Sequence, residues 1–124
     1  RINLIALSTE APDRHVYTNG DISIDISWAP GTTDIVLGAR PEDLVVSRQE
    51  TQSSQEYSIT AVLPNGPETI VQLTRGKTAV IARVAHNSTY CEGEVVHVQY
   101  TRSALNVYEA KNGTIMPPDQ SQGY

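Results

Sequence analysis

The sequence predicts an all-β chain, an OB-like or Greek-key barrel made of two small packed β units, and three observations carry that expectation. Val and Ile together number 22 against 7 Leu, 1 Met and no Phe, and side chains branched at Cβ fit a pleated strand better than a helix. The stretch Asp21-Ile22-Ser23-Ile24-Asp25-Ile26-Ser27-Trp28 alternates polar and apolar residues without a fault, the period of a strand with one face on a core and one in water. Short apolar segments then recur at nearly even spacing between glycine turns, the punctuation of a sandwich or barrel. No window of eleven residues carries a convincing helical period.

Taken in order, Leu4 to Leu7 and His15 to Tyr17 read as short strands, split by Ala11-Pro12-Asp13 and turned by Asn19-Gly20. The alternating stretch 21–28 follows, and Ala29-Pro30-Gly31 closes the first run. Asp34 to Ala39 is the next strand. It leads into Arg40-Pro41-Glu42-Asp43, where proline presets φ for a helical turn and two carboxylates suit its positive end. The polar stretch Gln49 to Gln55 reads as a loop. Strands are then expected over Tyr57 to Leu63, Thr69 to Leu73, Thr78 to Val84, Val95 to Tyr100 and Leu105 to Tyr108. One domain over residues 1–116 follows, in two interleaved units of roughly 1–48 and 56–116, with a flexible tail at 117–124.

Composition narrows the function classes. A net charge of −5 and a pI near 5.0 speak against nucleic acid, whose phosphates call for a basic stripe; the nine Lys and Arg are scattered. The single cysteine, Cys91, has no partner for an internal disulfide, which points to a reducing cytosol. In that compartment the sequons at Asn87 and Asn112 are chance patterns. The chain opens on Arg1 with no signal-peptide pattern, so it reads as a piece of something longer.

Chemistry-bearing motifs are absent from the pattern. Arg75-Gly76-Lys77-Thr78 contains the Gly-Lys-Thr of a phosphate loop, but Val71 stands at the position of the motif's first glycine, and strands flank it on both sides. It reads as a hairpin. His15, His86 and His97 are far apart, and His86 with Cys91 falls two ligands short of a structural zinc site. Nothing like Gly-x-Ser-x-Gly marks a nucleophile. Tyr57, Tyr90, Tyr100 and Tyr108 lack the interleaved cations of a base-stacking face, so they read as core or rim residues. No catalytic residue, metal or cofactor is expected.

One segment is more specific. Leu37-Gly38-Ala39-Arg40-Pro41-Glu42-Asp43-Leu44 resembles the Gly-x-Arg-Pro-Glu-His-Leu signature in the C-terminal regulatory domain of sugar-importer (maltose-type) ABC ATPases, a transport-associated OB, or TOBE-type, domain. Further stretches in the same order are similar to that family: Val62-Leu63-Pro64-Asn65-Gly66-Pro67-Glu68-Thr69-Ile70-Val71, then Glu92-Gly93-Glu94-Val95-Val96, then Leu105-Asn106-Val107-Tyr108 with Asn112-Gly113. Ile2-Asn3 resembles the Met-Asn pair that opens the domain. Asp43 replaces the usual His, and Tyr108 the usual Phe.

The resemblance implies a cytoplasmic regulatory and dimer-contact domain of an importer ATPase subunit. Its partners would be its own nucleotide-binding domain, a second ATPase subunit in a homodimer, a regulatory protein, and the membrane permease through the parent. The ATP-binding motifs would lie in the parent. Gly38, Arg40, Pro41 and Glu42 are the signature residues, with Arg40 and Glu42 expected to hold the junction of the two β units through charged hydrogen bonds. A second reading comes from related β domains of oxyanion importers that bind molybdate or tungstate; here Ser8-Thr9 and Arg75-Gly76-Lys77-Thr78 would supply the donors.

Overall fold

The structure is a computed structural model that describes residues 2–28, 33–85, 88–110 and 115–116. Every strand pair among them is antiparallel, and the only helical pieces described are 3-10 turns at Pro12–Arg14, Pro41–Asp43 and Arg102–Ala104. The fold is all-β, as the residue pattern predicts. One sheet contains β1 (Asn3–Ser8), β2 (Val16–Thr18), β3 (Ser23–Asp25), β4 (Asp34–Ala39), β10 (Asn106–Glu109) and β11 (Ile115–Met116), in the order β11-β10-β4-β1-β2-β3. The other contains β5 (Leu44–Ser47), β6 (Gln55–Asn65), β7 (Glu68–Arg75), β8 (Thr78–Ala85) and β9 (Val95–Tyr100), in the order β5-β9-β6-β7-β8. Its two edge strands, β5 and β8, come into contact without forming a ladder, so this sheet is a partly closed barrel.

The chain therefore changes sheets twice. It leaves the first at Arg40-Pro41-Glu42-Asp43 and returns after Arg102-Ser103-Ala104. β5 had no counterpart among the expected strands. Its Leu44-Val45-Val46 run is short and unalternating, and it pairs with β9 some fifty residues onward, Leu44 opposite Tyr100 and Ser47 opposite His97. The 21–28 stretch shows the reverse. Ile22, Ile24 and Ile26 are buried while Ser23, Asp25 and Ser27 face out, as alternation requires, yet only Ser23–Asp25 forms a ladder. The partner strand β2 is three residues long, so the flanks add only isolated backbone bonds, Asn19 N–H to Ile22 O at 3.4 Å at one end and Ile26 N–H to His15 O at 2.7 Å at the other.

β6 runs two residues past the expected end, through Pro64 to Asn65. It pairs with β9 only over Gln55–Ser58 and with β7 along its remaining length. Past the irregularity between Ile59 and Ala61, one side of β6 has no neighbouring strand, and an edge position tolerates proline's missing donor. One apolar cluster joins both sheets, with Ile5, Tyr17, Ile22 and Leu37 from the first meeting Tyr57, Ile59, Leu73 and Val96 from the second. Burying each large apolar side chain contributes about 1.5–3 kcal/mol, whereas the ion pairs among the described residues sit at the surface. The core carries the stability. The expected turn at Ala29-Pro30-Gly31, the sequons' Asn87 and Asn112, His86, and the tail 117–124 lie outside the described residues.

Candidate functional site: the junction of the two sheets

The signature segment lies at the first change of sheet. Gly38 is buried in β4 between Leu4 of β1 and Asn106 of β10. A Cβ there would stand 3.0 Å from Ile2 Cδ1 and 3.2 Å from Tyr108 Cε2, so the absence of a side chain lets both pack across the strand. Arg40 is extended (φ −74°, ψ 148°), as the residue before a proline must be, and Pro41 opens the turn and is buried.

The charged residues do something other than expected. Arg40 Nε donates to Asp43 Oδ2 at 2.9 Å and lies 3.9 Å from Glu42, all within one turn, with 56% of the Arg40 side chain exposed. The ion pair stiffens the turn and reaches neither sheet. The turn is fastened instead by its backbone, Asp43 N–H to Arg40 O at 2.9 Å and Thr101 N–H to Asp43 O at 3.1 Å, and by Pro41. Asp43 supplies the carboxylate facing Arg40.

The side chains that bridge the sheets include amides, one arginine and one aspartate. Asn3 of β1 is 7% exposed. Its Nδ2 donates to Ala39 O at 3.0 Å in its own sheet and to Ile81 O at 2.9 Å on the edge strand β8, while Oδ1 accepts from Ile81 N–H at 2.8 Å. Gln55, at the start of β6, mirrors this on the other side: its carboxamide donates to Ser23 O and accepts from Ser23 N–H on the edge strand β3. In each case a side-chain amide offers a sheet edge the donor and acceptor that another strand would supply.

Asp21 forms the third link. Its Oδ2 accepts from Lys77 N–H and from Thr78 Oγ1, both at 3.0 Å, and Asn19 Nδ2 donates to that same hydroxyl at 2.8 Å. Arg75 donates to Asp21 O and to Glu56 O. Gly76 takes φ +60° in the β7–β8 hairpin, and a Cβ on it would fall 2.1 Å from Asp21 Oδ1. The Gly-Lys-Thr sequence is thus a hairpin turn whose donors already hold a carboxylate from the chain itself. At the other proposed oxyanion position, Thr9 N–H donates to Thr33 O and its hydroxyl accepts from Ala11 N–H.

Tyr57 and Tyr100 are buried, with their hydroxyls 2.5 Å apart. Burial raises both phenol pKa values; the neighbouring Tyr57 adds to the rise at Tyr100, and the shared hydrogen bond partly offsets it at Tyr57. Tyr90 packs on the core and donates to Val46 O at 3.0 Å. Above it Arg48 stacks 4.5 Å from the ring centre and pairs with Glu94, whose carboxyl is held below its ordinary value first by that hydrogen bond and then by Cys91 N–H. This clamp ties the loop before β9 to β5. Cys91 is exposed, and among the described residues no three His, Cys, Asp or Glu side chains come together as a metal site.

Beside the Gln55 link lies a cleft of about 370 Å³, with Ile24 and Tyr100 at its base and Asp25, Gln52, Gln99 and Arg102 around it. Sequence reasoning reads Ile24 as core-facing, Tyr100 as core or rim, Asp25 as solvent-facing and Gln52 as loop. Only the fold brings 24–25, 52–55 and 99–102 together. No helix among the described residues is long and apolar enough to cross a membrane. No protein-family model matches the chain, and no curated protein matches it.

Proposed function

We propose that this chain is the C-terminal regulatory and dimer-contact domain of an ABC importer ATPase subunit serving uptake of carbohydrate or a related solute. The observation that carries the reading is the segment Leu37 to Leu44, which combines a glycine at a crowded strand crossing, a buried proline and a capped turn at the change of sheet. The other resembling segments supply the β6–β7 hairpin, the turn entering β9, and β10. On this reading the chain carries no chemistry of its own. It acts by contact, on the cytoplasmic face of the membrane, with its own nucleotide-binding domain, a second ATPase subunit and a regulatory protein.

The coding sequence upstream of Arg1 tests this directly. A phosphate loop of the form Gly-x-x-x-x-Gly-Lys-Ser/Thr followed by an ABC signature is the expected result, and an upstream sequence lacking both overturns the proposal. For the isolated chain we expect a monomer or weak dimer, since contact without the rest of the subunit falls below the roughly 1,200–2,000 Å² of a stable interface. Sedimentation over a wide concentration range reads this out, and a tight closed trimer or larger ring would point to the oxyanion-binding class instead.

A further inference from the structure

The cleft beside Gln55 has the composition of a binding site for an uncharged, hydroxyl-rich molecule. Its volume, about 370 Å³, lies at the lower end of the roughly 300–1,000 Å³ of small-molecule sites. Its base is apolar, made by Ile24 and Tyr100, which are 8% and 6% exposed. One wall is fixed by the Gln55 carboxamide on the β3 edge. Another is Arg102, whose guanidinium stacks 5.7 Å from the centre of the Trp28 ring.

The polar groups of the rim decide the ligand class. The side chains of Asp25 and Gln52 make no hydrogen bond among the described residues, and Gln99 uses only its Oε1, which accepts from the Thr51 hydroxyl at 3.4 Å. One carboxylate and one guanidinium leave the rim without net charge. An anion would face Asp25, a cation would face Arg102, and an apolar molecule would strip water from the amides without replacing it. A hydroxyl both donates and accepts, so it suits an amide or a carboxylate equally, and the C–H face of a saturated ring suits Ile24 and Tyr100.

We propose that this cleft binds a neutral polyhydroxylated molecule of the mono- or disaccharide class, with its ring over Ile24 and Tyr100 and its hydroxyls on Asp25, Gln52 and Gln99. This rests on the cleft alone and holds whatever the parent protein is. Because Asp25 belongs to one sheet and Gln99 to the other, an occupied cleft ties the sheets together.

The test is an NMR titration of the full chain with maltose, with potassium phosphate as the competing probe. Maltose should give saturable shifts at the side-chain amides of Gln52 and Gln99 and at the backbone of Ile24 and Asp25. Asp25→Ala and Gln52→Ala, both at exposed positions, should each weaken binding about tenfold while leaving the remaining spectrum folded. Maltose shifts that are absent, that never saturate or that fall elsewhere overturn the proposal, as does unchanged affinity in both variants. Phosphate binding in the cleft as tightly as maltose overturns it too.

Discussion

Asn3 pairs across strands with Ala39, the residue before Arg40, yet Asn3 and Arg40 make opposite use of their hydrogen bonds. Asn3 is buried and joins two sheets through three bonds to main chain, two of them to a residue 78 positions away on β8. Arg40 is largely exposed and bonds within its own turn. A charged signature residue attracts attention in a sequence, but desolvation decides what a polar contact is worth. In water the Arg40–Asp43 pair replaces solvation of nearly equal strength. In the interior, Asn3 satisfies groups that have no other partner.

The contrast breaks most visibly at Asn3. Asn3→Ala should lower unfolding free energy by about 3 kcal/mol, because Ile81 N–H and O lose their partner at once. Asn3→Asp should be worse than alanine near neutral pH, since a carboxylate keeps the acceptor for Ile81 N–H but faces two carbonyls with no donor. Urea denaturation measures both, and a loss at Asn3→Ala no larger than at Arg40→Ala would remove the distinction.

Gly76 comes next. Gly76→Ala places a methyl on the Asp21 carboxylate and an L-residue at φ +60°, costing about 2 kcal/mol. Repeating it in an Asp21→Ala background sharpens the point: only the backbone part should remain, and a full cost there would mean the carboxylate contact is irrelevant. At the buried pair, Tyr100→Phe strands the Tyr57 hydroxyl and should cost about 1 kcal/mol.

The same tyrosines set an alkaline limit. Below about pH 10 folded and unfolded chains both keep these phenol protons, so the contribution is complete. Above it unfolded tyrosines ionise, while burial keeps Tyr57 and Tyr100 protonated. The native state then holds more protons, and stability falls as pH rises, by up to about 1.4 kcal/mol per pH unit for each group. A Tyr100→Phe chain should show a shallower decline between about pH 10 and 12; an equal slope would mean the pair ionises in the folded state. Smallest of all is Arg40→Ala, for which we expect no resolvable change in denaturation midpoint.

Much of this was legible in residue pattern. The isoleucines of 22–26 are buried as their period requires, and Asn65-Gly66-Pro67 and Gly76-Lys77 turn the chain where expected. The inward position of Asn3 was not legible, because the expected strand begins at Leu4, and Ile2, Leu4 and Ala6 form a phase as apolar as that of Ile5 and Leu7. What it bonds to was not legible either, because Ile81 is remote in sequence. Gln55 illustrates the same limit: it falls at the end of a polar stretch that reads as loop, and becomes a link only because the β3 edge passes beside it.

The local chain determined strand character, facing and turns, because Cβ branching, period-two alternation and positive-φ glycine act over neighbouring residues. Tertiary structure alone decided which sheet each strand joins, that β5 exists as a strand, that Arg40 stays outside while Asn3 and Gln55 close the edges, and that three separate segments meet around one cleft. Those outcomes depend on which unsatisfied edges and apolar faces come together when both sheets pack. That is a property of pairs distant along the chain, and no local pattern encodes it.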